Sequence, residues 1–260
     1  MLEIKNISKS FNLGTAEEVT IFDKFSLKIE EGVATTIIGP NGCGKSTLMN
    51  LISGSLKPDG GEILIDGEDV TGLSEEKRAG YIGRVSQDPK DGVATDLDIF
   101  ENMALALKKG EKFSLKSLKK SASEEEIERR LKSLNLGLEN KLHTKTGLLS
   151  GGQRQSLSLL MATAKRPKLL LLDEHTAALD PKTSRNVMDK TRSLIDTEKI
   201  TTLLISHNLR DVVKYSDRIV MLNKGGIAID LRAKDITEDE LIRMYKNCLL
   251  YTSDAADEGL

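Results

Sequence analysis

The chain has 260 residues, of which 38% are hydrophobic, so it is long enough to bury a core and is predicted to fold. Its 38 Lys and Arg residues nearly balance its 40 Asp and Glu residues, which leaves a formal net charge of −2. That balance argues against a polyanion-binding protein, so no nucleic-acid partner is expected. The two cysteines, Cys43 and Cys248, exclude a disulfide scaffold and a multi-cysteine metal site, and they fit a reducing compartment.

The first ten residues alternate polar and apolar side chains, which is unlike a signal peptide. The longest aliphatic runs, such as residues 169–172, are far shorter than a membrane span. We therefore predict a soluble chain in which any membrane role depends on a partner.

Short apolar runs recur along the chain and predict strands, several of them buried on both faces as in a parallel sheet. They are LEIKNIS, FSLKIE, ATTIIGP, GEILIDG, KLLLLDE, TTLLISH and RIVMLN. Between Pro89 and Arg166 the pattern changes to helix periodicity, in DIFENMALALKK, EEEIERRLKSLNL and GGQRQSLSLLMATAK. A helical subdomain (89–166) is therefore predicted to interrupt an α/β core (1–88 and 167–247). The lysine-rich piece 108–120 within it is either a solvated loop or a basic contact surface.

Residues 39–47, GPNGCGKST, match the pattern G-x-x-x-x-G-K-[ST] between an apolar run and a helical segment. In that context the pattern forms a P-loop, whose main-chain N–H groups surround the phosphates of a nucleotide. Lys45 is predicted to reach the β and γ phosphates, and Ser46 to ligate Mg²⁺. The predicted phosphate-binding residues are Gly39, Asn41, Gly42, Cys43, Gly44, Lys45, Ser46 and Thr47.

A second element is the aliphatic run 169–172, which ends in Asp173 and Glu174. Because side chains alternate along a strand, the two carboxylates are predicted to have separate roles. Downstream of a P-loop, Asp173 is expected to help hold Mg²⁺ and Glu174 to polarise the attacking water.

Residues 150–155, SGGQRQ, resemble the signature motif of the ATP-binding cassette (ABC) ATPases, and the spacing of the other motifs agrees. The likeness extends from Leu2 to about Lys246. It implies an α/β P-loop NTPase (RecA-like) fold with an N-terminal antiparallel β piece and an inserted helical subdomain. It also implies that ATP is hydrolysed by a head-to-tail homodimer. In that dimer Ser150, Gly151, Gly152 and Gln153, at a helix N-terminus, would close over the γ-phosphate bound to the other subunit.

Three further positions resemble functional residues of the family. Gln87 resembles the Q-loop glutamine, which the resemblance implies contacts Mg²⁺ and the attacking water. His207 resembles the switch histidine, implied to touch the γ-phosphate and help orient the water. Asp180 resembles a D-loop residue at the dimer interface, although an Asp before Pro181 is also a typical helix cap.

Phe11 resembles the aromatic residue that stacks on adenine, a position usually held by Tyr. Stacking requires only a π face, so a phenyl ring is expected to serve. Phe22 and Phe25 are alternative rings for this role, and Phe11 is alternatively a core residue.

Two residues depart from the family pattern. Cys43 replaces the Ala or Ser common in the loop; electropositive surroundings would lower its thiol pKa and make it reactive, whereas a small filler is the simpler interpretation. His175 stands where Pro is commonest, and its role is open between structural and mechanistic. A resemblance to one subgroup rests on this variant, DEHTAALDP, together with two later segments, ISHNLRDVVKYSDRIVML and DITEDELIRMY. The subgroup is the ATPases of bacterial uptake systems that work with a tryptophan/tyrosine-type binding protein.

The resemblance implies an ATPase subunit that powers a bacterial importer of a small solute such as an amino acid. Its partners would be an integral-membrane permease, at the cytoplasmic face of the membrane, and an extracytoplasmic solute-binding protein. The main alternative is an exporter ATPase of the lipoprotein-releasing type, which NLGTAEEVTIF resembles. A soluble ABC ATPase of translation or DNA repair is disfavoured, because the chain has one cassette and only 105 positions separate Lys45 from Ser150.

The last residues carry a different signal. Residues 248–258, CLLYTSDAADE, match the conceptual translation of a transposase-based sequencing adapter. We therefore expect 248–260 to be an assembly artefact that breaks the helical pattern and packs against nothing, the natural chain stopping near Asn247. Without those residues, which include three acidic residues and no basic one, the net charge would be +1. A short acidic tail that binds a partner is the alternative.

Overall fold

The computed structural model describes residues 1–109 and 123–257, with side chains described as far as residue 248. Most of the lysine-rich piece 108–120 therefore lies outside the described residues. The chain divides into two compact units, unit 1 (Met1–Leu73 and Thr201–Leu260) and unit 2 (Ser74–Ile200). No helix within the described part of the chain is long and apolar enough to cross a membrane.

Unit 1 begins with an antiparallel sheet. Its strands are β1 (Leu2–Phe11), β2 (Val19–Ile29), β4 (Gly60–Ile65) and β5 (Glu68–Asp69), with β1 between β2 and β4 and with β5 at the edge next to β4. Leu2 of β1 pairs with Ile29 on one side and Ile65 on the other, and all three are fully buried. Such apolar cross-strand sets stabilise a sheet. The predicted N-terminal antiparallel piece is confirmed.

The remaining strands of unit 1 hold the phosphate-binding loop. They are β3 (Ala34–Ile38), β8 (Thr201–Ile205), β9 (Arg218–Asn223) and β10 (Gly226–Arg232). β3 pairs in parallel with β8 and β9, while β10 pairs antiparallel with β9. Every residue of β3 and β8 is buried, as expected of strands covered on both faces. The helices of unit 1 are α1 (Lys45–Ser53), α7 (Leu209–Tyr215) and α8 (Glu238–Asp257).

Helix α8 includes most of the segment predicted to be an artefact. The sequence predicted that the helical pattern ends before DAADEGL, but the helix continues through Asp257, so that prediction is wrong. Cys248 is partly buried and packs against an apolar cluster that includes Ile38, Met221 and Leu241. The expectation that this segment packs against nothing is therefore wrong at Cys248, and the side chains of 249–260 lie outside the described residues.

Unit 2 combines two parallel strands with five α-helices among its described residues. The strands are β6 (Ile82–Val85) and β7 (Leu169–Asp173). The helices are α2 (Glu75–Arg78), α3 (Ile99–Leu107), α4 (Glu124–Lys132), α5 (Gly151–Ala162) and α6 (Pro181–Glu198). The three helical segments predicted from the sequence correspond to α3, α4 and α5.

An apolar cluster made wholly of residues between Val93 and Ala164 joins α3, α4 and α5. Met103, Ile127 and Leu157, one from each helix, have no exposed surface. This cluster supports a helical subdomain over 89–166, whose boundaries stay a prediction.

Candidate nucleotide-binding and catalytic site

The phosphate-binding loop of unit 1 joins the end of β3 to the start of α1. Gly39 has φ 150°, and a Cβ there would lie 2.4 Å from the carbonyl oxygen of Leu222. Gly44 has φ 104°, and a Cβ there would lie 2.7 Å from Cζ of the Phe22 ring. Both positions combine a backbone conformation that L-residues rarely adopt with a close neighbour, so both require glycine.

Lys45 and the start of α1 provide the positive end of this loop. The Lys45 ammonium donates hydrogen bonds to the carbonyl oxygens of Gly39 at 2.8 Å and Pro40 at 2.9 Å, and the side chain is only 7% exposed. No side chain of the described residues caps α1, and its second residue, Ser46, is exposed. An uncapped helix N-terminus beside an ammonium group attracts anions. These donors fit the phosphates of a nucleotide.

Cys43 is buried beneath the same loop and is 5% exposed. A Cβ on Gly39 would lie 2.8 Å from its Sγ. Burial raises the pKa of the Cys43 thiol, and this effect exceeds the lowering by the nearby Lys45. The prediction of a lowered pKa is therefore wrong. Removing the thiolate from water costs more free energy than its attraction to the Lys45 ammonium provides. The small-filler interpretation agrees with the burial.

His207 lies at the same edge of the sheet as the phosphate-binding loop. β3 and β8 are neighbouring parallel strands, with Ile37 opposite Ile205. The loop follows the end of β3, and His207 follows the end of β8 by two residues and is exposed. Ligands of α/β sheets bind outside the carboxyl ends of the strands. The fold thus brings together the two elements of unit 1 that the sequence singled out.

Phe11 differs from the two alternative rings in exposure. It is the last residue of β1 and is 39% exposed, with the Lys9 ammonium 5.6 Å from its ring centroid. Phe22 and Phe25 are 0% and 5% exposed, and their ring centroids are 4.8 Å apart. Of the three rings, Phe11 is the one accessible to a ligand, and its stacking on adenine stays a prediction.

In unit 2, Gln87, Asp173 and Glu174 share one edge of a strand pair. β6 and β7 are parallel, with Val85 opposite Leu172. Asp173 is the last residue of β7, and the exposed Gln87 follows β6 by two residues. Glu174 has φ 46°, in the left-handed region, so the chain turns sharply directly after the strand.

The signature segment of unit 2 begins helix α5. Ser150 Oγ accepts a hydrogen bond from the Gln153 N–H at 3.3 Å, and Gln153 Oε1 accepts one from the Ser150 N–H at 3.2 Å. This capping box stabilises the first turn of the helix. A Cβ on Gly151 would lie 3.3 Å from Leu179, and one on Gly152 would lie 2.2 Å from Thr183. The two glycines therefore allow α5 to approach the segment before and at the start of α6.

Asp180 is the N-cap of α6. Its Oδ1 accepts hydrogen bonds from the main-chain N–H groups of Lys182 and Thr183, both at 3.1 Å. Hydrogen bonds from Thr183, and secondarily from Lys182, hold the pKa of Asp180 below its ordinary value. The helix-cap interpretation is confirmed, and the role of Asp180 at a dimer interface stays a prediction.

His175, directly after the acidic pair, is 3% exposed. Its Nε2 lies 3.2 Å from Thr191 Oγ1, and that hydroxyl donates to the carbonyl of Val187 at 2.8 Å. Because the hydroxyl proton is used toward Val187, we assign the proton of the imidazole to Nε2. Burial lowers the pKa of His175 to about 4, so the ring is neutral at pH 7. These contacts favour the structural interpretation of His175.

Gln155 connects the signature helix to the segment that bears Gln87, and no sequence motif predicts a role for it. It is fully buried, and its Nε2 donates a hydrogen bond to the carbonyl of Ser86 at 3.1 Å. Positions 152, 155, 156 and 159 are spaced as one helix face and are all buried in the structure, but their residues (Gly, Gln, Ser and Leu) do not form an apolar stripe that would reveal this burial in the sequence. A glutamine on the buried face of a helix indicates a specific polar partner.

Comparison with known proteins identifies the family. A family model described as ABC transporter matches residues 22–177. The chain is 44% identical over 249 residues to the tyrosine transport ATP-binding protein of Clostridioides difficile, covering 95% of this chain and 99% of that protein. It is 36% identical over 240 residues to the spermidine/putrescine import ATP-binding protein PotA of Mannheimia succiniciproducens, covering 92% of this chain but only 60% of PotA.

Solved structures agree with the sequence comparisons. The dimeric post-hydrolysis structure of the ATP-binding cassette MJ0796 bound to ADP and Pi has a TM-score of 0.73 and 29% identity, covering 90% of this chain and 99% of that one. The ADP conformation of the cassette MJ1267 has a TM-score of 0.75 and 29% identity, covering 96% and 98%. With the loop, strand-end acids and signature segment described above, these matches show that the chain belongs to the ABC transporter family, as an ATP-binding ATPase with the P-loop NTPase fold.

Proposed function

We propose that this ATPase powers the import of an amino acid or a similar small solute. The observation that carries the proposal is the 44% identity to a protein named for tyrosine transport, across 99% of that protein's length. The relative named for spermidine and putrescine import matches at 36% identity. That match supports import in general, but it gives no support to an aromatic amino acid as the imported solute. Neither of the two curated relatives described above is named for export.

We assign the phosphate contacts to residues of the loop and of α1. Lys45 binds the β and γ phosphates, with the main-chain N–H groups of the loop and the N-terminus of α1. Phe11 provides the surface on which adenine stacks. Ser150 and Gly152 face the γ-phosphate held by a second copy of the chain, so that two copies complete each other's sites.

We assign the hydrolytic step to the groups at the strand ends. Glu174 polarises the attacking water, and His207 contacts the γ-phosphate and orients that water. Ser46, Gln87 and Asp173 are the residues that would hold Mg²⁺, their oxygen atoms being the ligand type that this ion prefers. Bound Mg²⁺ would neutralise the charge of the transferred phosphoryl group.

The proposed partners are an integral-membrane permease, which would hold the ATPase at the cytoplasmic face of the membrane, and an extracytoplasmic solute-binding protein. The experiment is to purify the chain with the permease and binding protein encoded beside it, and to identify the co-purified ligand by mass spectrometry. The complex is then placed in vesicles with ATP on the ATPase side.

Uptake of labelled tyrosine or tryptophan that requires the binding protein is the expected result, and spermidine serves as the comparison solute. A Lys45→Ala complex is the matched control and should transport nothing. A neighbouring permease with a large periplasmic domain and no binding protein, or outward transport in the vesicles, would contradict the import proposal.

A further inference from the structure

The side chain of Gln155 is fully buried inside unit 2 and uses only half of its amide group. Nε2 donates to the Ser86 carbonyl oxygen at 3.1 Å. Because that acceptor is a carbonyl, the amide nitrogen must face it, which fixes the orientation of the group. Within the described residues, Oε1 accepts no hydrogen bond. A buried polar atom without a partner is destabilising, so apolar packing alone would favour another residue here.

Helix α5 is attached to strand β6 at two places. At its carboxyl end, a Cβ on Gly83 of β6 would lie 2.5 Å from the carbonyl oxygen of Ala162, so the two main chains are in close contact. Near its amino end, Gln155 holds the carbonyl of Ser86, which directly follows β6. Residues 155 and 162 are two helical turns apart, so the pair of attachments aligns the strand along the helix.

The hydrogen bond to Ser86 acts directly on Gln87. The carbonyl of Ser86 and the N–H and Cα of Gln87 belong to one planar peptide unit. Restraining that oxygen therefore restrains the Cα from which the exposed side chain of Gln87 extends. Beyond it the chain bends away from the strand.

We propose that Gln155 is a positioning residue of the ATPase, holding the main chain at Ser86 so that Gln87 keeps a fixed place relative to the signature helix. Any displacement of that helix then moves Gln87 with it. This inference rests on the proposed role of Gln87 in hydrolysis.

The first test replaces Gln155 with methionine, which is unbranched, similar in length and without a donor. We expect the turnover number to fall about tenfold, the equivalent of one lost hydrogen bond, while KM for ATP changes less than about twofold. Ser156→Ala is the matched control: Ser156 is 1% exposed on the same helix, and its Oγ has no partner within the described residues. Unchanged turnover is expected for that variant, and unchanged turnover for Gln155→Met would overturn the proposal.

The second test is a double-mutant cycle with Gln87→Ala. If Gln155 acts through Gln87, then Gln155→Met causes no further loss of turnover in the Gln87→Ala background. Additive losses would overturn the proposal. Full activity of Gln87→Ala would refute the role of Gln87 and the inference with it, whereas an impaired Gln87→Ala beside a normal Gln155→Met would refute the inference alone.

Turnover could also fall because part of the variant protein is unfolded. Turnover is therefore expressed per folded molecule, with the folded fraction measured by circular dichroism. Gln155→Leu provides a second variant if Gln155→Met folds poorly. A loss of turnover that disappears after this correction in both variants would overturn the proposal. A loss that remains, with KM little changed, is the expected result.

Discussion

Neutral, buried His175 makes the stability of the protein depend on pH in a defined window. Burial lowers the pKa of His175 from 6.5 to about 4. Between those values the unfolded chain binds a proton at His175 and the folded chain does not. The unfolded state is therefore favoured as pH falls through this window, and the contribution of His175 to stability is complete above pH 6.5.

The magnitude follows from the width of the window. Each pKa unit corresponds to about 1.4 kcal/mol, so acidification across the whole window should remove about 3 kcal/mol of the free energy of unfolding. At pH 5, where the folded protein still carries a neutral ring, the loss due to His175 should be about 2 kcal/mol. Such a change is a large fraction of the stability of an ordinary domain.

The assay is urea unfolding followed by circular dichroism at pH 7.5 and pH 5, for the wild type and for His175→Gln. Glutamine keeps an amide N–H that can donate to Thr191 Oγ1, and it does not titrate. Effects of the carboxylates are common to both proteins and cancel in the comparison. The wild type should lose about 2 kcal/mol more than His175→Gln between the two pH values. Equal losses in wild type and His175→Gln would refute the reasoning.

Three further variants, two substitutions and one deletion, test the other assignments. Glu174→Gln should lower ATP turnover by roughly 100-fold or more and leave ATP binding intact, because it removes the base and keeps the shape; near-normal turnover would exclude Glu174 as the base. Ser150→Arg should abolish hydrolysis while the loop still binds ATP, and mixing it with Lys45→Ala should restore at most one competent site per dimer. Full two-site activity of that mixture would contradict the composite site. Removing residues 249–260 while keeping Cys248, which packs against the core, should leave turnover and the thermal midpoint unchanged; a deletion that unfolds the protein would contradict the proposal that the segment is foreign.

Local patterns predicted most of the fold. The seven apolar runs all form strands, and the phosphate-binding loop was found because strand, glycine-rich turn and helix are adjacent in the sequence. Strands β5, β6 and β10 were not predicted; in β6, Gly83 and Arg84 interrupt the apolar pattern. The reason for Gly83 is the close approach of Ala162, nearly eighty residues later, which no local pattern contains.

Site residues that depend on long-range packing were harder to predict. The sequence offered three candidate rings, and only burial distinguishes Phe11 from Phe22 and Phe25. For Cys43 the sequence indicated the neighbouring positive charge but not the burial, and burial determines the direction of the pKa change. Gln155 carries no recognisable motif role, because its importance comes from a hydrogen bond to a residue sixty-nine positions earlier.

The hydrogen bonds of Lys45 leave one of its three N–H groups for a phosphate. Its ammonium donates to two main-chain carbonyls, at 2.8 Å and 2.9 Å, and the third N–H remains available to a phosphate oxygen without either bond being broken. The two carbonyls hold the ammonium in place before the ligand arrives, so little side-chain entropy is lost on binding, and the attraction between opposite charges adds to the new hydrogen bond. A nucleoside without phosphates leaves Lys45 where it is and gains nothing from it. The loop thus favours ligands that carry phosphates, whichever base they bear.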